Sequence, residues 1–227
     1  MPVDKLPIVV ALDGPAGVGK STVAMAIAAA LDLAYVETGA LYRAVGLLAR
    51  QRGISLDDPD ALGKVATGMD VRFRMEGTVN HVVIDGVDVT EALRHPDMGP
   101  VASRVSSYPQ VRQALLPLQR SFAQRLPGAV AEGRDIGTVV FPAARFKFFL
   151  TATVPARVER RRLQLLAKGR SVSAQELERE ITERDRADSS RKVAPLKAAD
   201  DAVVVDTSGI SAEQVVDRLL AHIRGRL

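Results

Sequence analysis

Residues 12–22 read LDGPAGVGKST, with an apolar run, IVVAL (8–12), before them and an alanine-rich run, VAMAIAAAL (23–31), behind. Gly14 to Ser21 fits the pattern G-x-x-x-x-G-K-[ST] in its proper setting, a strand before and a helix after. Gly14, Gly17 and Gly19 allow backbone angles that turn several N–H groups to one side. The helix starting near Lys20 adds unpaired N–H groups and the positive end of its dipole. The stretch Gly14, Pro15, Ala16, Gly17, Val18, Gly19, Lys20, Ser21 and Thr22 is therefore expected to cradle the phosphates of a nucleotide. Lys20 would place its charge on the β- and γ-phosphates, and the Ser21 hydroxyl would ligate Mg²⁺.

Working outward, five apolar runs read as buried strands: 8–12, 33–36, 128–132, 146–152 and 202–206. Helical patterns at 21–31, 40–51, 110–126, 156–168, 174–187 and 212–223 separate most of them. Continuous apolar strands alternating with helices predict an α/β fold, a parallel sheet with helices on both faces. Residues 70–90 break the rhythm. Val71, Phe73 and Met75 alternate with charged residues, and Asp85-Gly86 between VVI and VDV signals a type I′ hairpin. This stretch is expected to be a small antiparallel meander, either a plain surface excursion or a mobile lobe on the substrate side. Asp57, Asp58 and Asp60 read as a helix start.

The 227 residues include no cysteine, which excludes disulfides, thiolate metal sites and Cys nucleophiles. No apolar run is long enough to cross a bilayer, and with Asp4, Lys5 and Asp13 and no apolar stretch before the glycine loop, no signal peptide is expected. A net charge of +4 raises nucleic acid as a partner, but three Tyr, six Phe and no Trp supply few stacking platforms. The expectation is a cytoplasmic monomer with no nucleic-acid or membrane partner. His81, His95 and His222 lack metal spacing and read as surface or packing residues.

A phosphate loop serves GTPases, motors and kinases alike. No guanine-reading N-K-x-D stretch is present. What stands out instead is a set of scattered cations. ETGALYR (37–43) puts Thr38 and Arg43 at the mouth of the second strand. EGRD (132–135) puts Arg134 and Asp135 at the mouth of the third. ITERDRADSSR (181–191) holds Arg184, Asp188 and Arg191 at i, i+4 and i+7, one helical face. The Ser pair and Pro195 suggest that the helix ends there, with Arg191 in a loop and the segment acting as a lid. Cations from several segments are what transfer of a phosphoryl group to another phosphate requires. Arg160, Arg161 and Arg162 point in three directions, so one lines the cleft and the others face water.

Taken with YPQVRQALLPLQR, EGRDIGTVVFP and ERDRADSSRKVAPL, these motifs closely resemble the bacterial cytidylate kinases, a family of nucleoside monophosphate kinases, over nearly the whole chain. The resemblance implies one P-loop kinase domain over 1–227. It has a five-stranded parallel sheet, an antiparallel insert at 70–90 in the monophosphate-binding lobe, and a helical lid over roughly 157–191. It implies transfer of the ATP γ-phosphate to CMP or dCMP with Mg²⁺, giving ADP and CDP or dCDP. By position, Arg43, Arg134 and Arg191 would clamp phosphate, Arg184 and Asp188 would reach the ribose, and Ser103, Arg112 and Asp135 would read cytosine. Thr38 joins this substrate set. Lys20, Arg134, Arg184 and Arg191 are the expected catalytic cations. Glu37 stands where the family commonly has Asp, which leaves its role open.

Overall fold

The computed structural model describes residues 7–77, 79–124, 127–167 and 169–227. Asp4, Lys5, Thr78 in the expected meander, and the expected helix ends at 125–126 and Lys168 lie outside those residues. In chain order the elements are β1 (Ile8–Asp13), α1 (Lys20–Leu31), β2 (Ala34–Glu37), α2 (Thr38–Gln51), α3 (Pro59–Thr67), β3 (Val71–Glu76), β4 (Val79–Ile84) and β5 (Val87–Asp88). Then come α4 (Thr90–Leu93), α5 (Met98–Val105), α6 (Pro109–Ser121), β6 (Gly128–Gly133), a π-helical turn (Ile136–Val140), β7 (Phe146–Thr151), α7 (Val154–Leu166), α8 (Ala174–Ser189), β8 (Val203–Asp206) and α9 (Ala212–Arg224).

Five strands form one sheet in the order β2-β6-β1-β7-β8, every pairing parallel. Alternate residues of each strand feed opposite faces. Val10 and Leu12 of β1, Val130 of β6 and Phe146, Phe148 and Leu150 of β7 pack against α1 and α9. Ala11, Ala129 and Ala131 point the other way and bring Ile136 and Val140 of the π-helical turn close to the sheet. Each fully buried large side chain contributes about 1.5–3 kcal/mol relative to exposure. The expected parallel sheet is thus present, with strand ends shifted by a residue or so.

A separate core joins α2, α3, α5 and α6 to the second sheet, which runs β3-β4-β5 and is antiparallel. Its tight turn carries Asp85 at φ 51° and Gly86 at φ 84°, the two positive angles that a type I′ turn demands. Helices α3, α4 and α5 complete the segments between the longer patterns read from sequence. Asp58 caps α3 by accepting from the Ala61 N–H, in keeping with the expected helix start. Helices α7 and α8 pack on one another through Val158, Leu165, Leu177 and Ile181, a small core of their own. Among the described residues no helix is long and apolar enough to cross a membrane.

Candidate active site

The order of the sheet builds the site. Strands β2, β6 and β1 lie side by side and end level, with Glu37 beside Glu132 and Asp13 beside Gly133. The loops beyond these carboxyl ends therefore converge, where open parallel sheets bind ligands. The phosphate loop follows β1, α2 follows β2, and EGRD closes β6. Segments about a hundred residues apart in sequence come into contact: the Thr38 hydroxyl donates to the Glu132 carbonyl at 2.8 Å.

Helix α1 begins after Gly19, and no side chain caps its first turn. Its N–H groups are left for an anion. Lys20 is buried and its Nζ donates to the Pro15 carbonyl at 2.7 Å. Burial, reinforced by the nearby Arg134, lowers its pKa to about 7. An ammonium so destabilised gains most from a phosphate. Gly14 and Pro15 form the base of the loop, Val18 turns into the sheet core, and Ser21 and Thr22 are exposed at its rim.

Two cavities meet at this loop. The first, about 220 Å³, is lined by Thr38, Arg43, Ser103, Arg112, Arg134, Asp135, Arg184, Asp188 and Arg191 together with Lys20 and Ser21. Every residue expected on the substrate side is brought into one wall system. The second, about 550 Å³, lies on the far side of the loop between α7 and the β8–α9 connection, lined by Val18, Gly19, Thr22, Arg160, Thr207 and Ile210 among others. Gly17, Lys20 and Ser21 line both. Of the three consecutive arginines, Arg160 faces the second cavity and donates to Thr207 Oγ1 at 3.0 Å. Arg162 pairs with Glu159 on the surface.

Carboxylates hold the arginines of the first cavity. Asp188 accepts from Arg134 Nε at 2.7 Å through one oxygen and pairs with Arg191 through the other. Burial alone would raise the Asp188 pKa, but Arg134 and Arg191 hold it below the usual carboxylate range. Arg184 and Asp188 lie on α8, and Arg191 lies just past its end at Ser189. Arg112 pairs with Asp135 Oδ2, donates to the Ser106 carbonyl at 3.1 Å and lies over the Tyr42 ring. Arg43 pairs with Glu37, leaving its buried Nε without a partner. Arg184 makes no ion pair among the described residues. Burial, together with Arg134, lowers its pKa to about 10. A cavity that holds a half-buried guanidinium, without an ion-pair partner among the described residues, beside Lys20 attracts anions.

Sequence reasoning missed several neighbours. Asp13 ends β1 and accepts from the N–H groups of Ile136 and Gly137, both at 2.7 Å, fixing the turn after EGRD. Burial raises its pKa to about 6. An acid closing an otherwise apolar strand was the available signal. Glu132 is buried and accepts from the Tyr35 hydroxyl at 2.6 Å, and burial pushes that phenol well above its usual range. Glu37, set aside for want of a role, lines the first cavity. Among the described residues no cluster of three metal-ligating side chains occurs, and His81 and His95 pair with surface acids.

Residues 10–225 match the family model described as cytidylate kinase. A cytidylate kinase of Syntrophotalea carbinolica is 44% identical over 219 residues, covering 96% of this chain and 93% of that one. One from Pseudomonas syringae pv. tomato is 47% identical over 217 residues, covering 95% and 94%. In fold alone, an uncharacterized protein from Eubacterium ventriosum superposes with a TM-score of 0.54 at 12% identity, covering 96% of this chain. With its phosphate loop, its arginine-walled cavity and relatives that align over nearly their whole length, this chain belongs to the cytidylate kinase family.

Proposed function

We propose that the chain transfers the γ-phosphate of ATP to CMP or dCMP, forming ADP and CDP or dCDP. The observation that carries this reading is the meeting of two cavities at Lys20 and Ser21. A donor lying in the larger cavity, with its triphosphate in the loop, would present its last phosphorus to an acceptor in the smaller one. That is the in-line approach phosphoryl transfer needs.

The acceptor phosphate oxygen is already a nucleophile, so no covalent enzyme intermediate and no strong general base are required. Lys20, Arg43, Arg134, Arg184 and Arg191 neutralise charge that builds as the bond to the leaving phosphate breaks. Asp188 keeps Arg134 and Arg191 turned into the cavity. The Ser21 hydroxyl, exposed at the wall common to both cavities, is a hard oxygen donor that fits Mg²⁺ together with phosphate oxygens. When bound, that ion would withdraw charge from the donor phosphates.

The base is read at the opposite wall. Asp135 accepts from Arg112 through Oδ2, and Oδ1 has no donor among the described residues. That oxygen suits the N4 amino group of cytosine, and Ser103 and Arg112 suit its N3 and O2. Uracil would face Asp135 acceptor to acceptor, at a cost of roughly 1–3 kcal/mol. We read residues from about 157 to 191, most of α7 with α8 and the following turn, as a lid that closes over the transfer and excludes water. The second sheet belongs to the lobe that carries the acceptor. The enzyme acts as a cytoplasmic monomer on small molecules. Coupled measurement of ADP release with CMP, dCMP, UMP and AMP in turn tests the reading. CMP and dCMP should be fastest, and a chain fastest with UMP and indifferent to CMP would refute it.

A further inference from the structure

Arg157 belongs to none of the motifs above, yet it is 4% exposed, among the most buried charges of the described residues. It sits in the first turns of α7 and reaches two other elements. Nη1 donates to the Ala16 carbonyl, in the middle of the phosphate loop, at 3.2 Å. Nη2 pairs with Asp185 Oδ2 on α8 at 2.6 Å. Its stem lies against the loop as well, since a Cβ built on Gly17 would stand 3.3 Å from Arg157 Cβ. Arg157 Nε and Asp185 Oδ1 are both buried without partners. The pair is therefore no two-pronged fork of the most favourable kind. A buried ion pair adds little net stability because desolvation offsets its attraction. Its placement tells more than its energy.

The carbonyl of Ala16 and the N–H of Gly17 belong to one planar trans peptide and point in opposite directions. A cation that anchors the carbonyl fixes the plane of this peptide, and with it the direction of the Gly17 N–H, in a loop where Gly17 lines both cavities. Without the anchor, a glycine-rich peptide is free to flip and take a phosphate donor out of the cradle. Asp185 holds the other end of the guanidinium, and α8 also carries Arg184 and Asp188 into the acceptor cavity. One side chain thus links the loop to the helix pair that supplies the acceptor-side cations.

We propose that Arg157 is a positioning residue for the phosphate donor: it sets the 16–17 peptide of the loop, and Asp185 sets Arg157. The proposal rests on the functional reading above for the identity of the donor. The test uses the full chain as R157K, D185N and the double variant. It measures KM for ATP and for CMP, kcat, and calorimetric binding of a non-hydrolysable ATP analogue. R157K and D185N should each weaken analogue binding and raise KM for ATP about tenfold, the loss of one hydrogen bond to a charged group. KM for CMP should stay within about twofold, because neither side chain lines the acceptor cavity. The double variant should be no worse than R157K, because both changes cut one linkage. A lowered Tm with donor binding and KM for ATP unchanged would show a merely structural pair and overturn the proposal. Equal losses for ATP and CMP would overturn it too. Should the unmutated chain bind the analogue but fail to phosphorylate CMP, the functional reading falls, while analogue binding still decides the role of Arg157.

Discussion

Replacing Asp135 by alanine should destabilise the ligand-free chain far more than replacing the whole pair. The two side chains are only 8% and 7% exposed for Arg112 and Asp135. Alanine would leave the guanidinium with the Ser106 carbonyl at 3.1 Å and the face of Tyr42, its ring centroid 5.4 Å away, as its nearest compensation. Removing one partner of a buried pair costs about 3–5 kcal/mol, whereas exchanging both for apolar residues of similar volume is often near neutral. D135A is therefore expected to lose about 3–5 kcal/mol, and R112M/D135L to recover most of it. D135N, which keeps an acceptor oxygen but not the charge, should fall between. Urea unfolding of each variant without nucleotide, compared at constant m-value, measures this directly. A loss below about 1 kcal/mol in D135A, or a double variant as unstable as the single one, would mean that water in the cavity already solvates Arg112. Arg112 and Asp135 would then not form a desolvated pair in the wall proposed to read the base. In the same proteins, D135N should narrow the preference for CMP over UMP about tenfold or more.

The remaining expectations concern the phosphate end. Arg134→Ala removes a cation held by Asp188 in the acceptor cavity and should cost about 3–4 kcal/mol of transition-state stabilisation; near-normal kcat/KM would take Arg134 out of the mechanism. Gly14→Ala places a Cβ 2.2 Å from the Leu150 carbonyl oxygen at φ 149°, so β1 and β7 must shift. A loss of about 3 kcal/mol or more is expected in thermal unfolding, and an unchanged Tm would show that the loop relaxes freely. Lys20 falls from 10.5 to about 7 on folding. Between those values the unfolded chain holds the extra proton, so ligand-free stability should rise with pH across that window. Asp13 works in the opposite sense, its pKa rising from 3.8 to about 6, and its contribution is lost as pH rises through that range. K20M and D13N should each flatten their own window in pH-dependent denaturation.

Short-range chemistry was readable along the chain. The phosphate loop, the apolar strand runs and the Asp85-Gly86 turn depend on residues within a few positions of one another, and each reads from local spacing alone. The arginines were visible as charges, though Arg157 looked like one more cation in a helix that also carries Arg160, Arg161 and Arg162. Nothing local marks it as buried. What the linear order leaves open is the insertion of β6 between β2 and β1. That arrangement sets Glu132 beside Glu37 and brings Arg134 to Asp188 across 54 positions. Burial of both faces of the sheet selects it, a sum over residues from every part of the chain. Local periodicity thus specified which segments are strands and which loop grips phosphate. Packing of the whole molecule chose which charges are paired, which are buried, and which of them share a cavity.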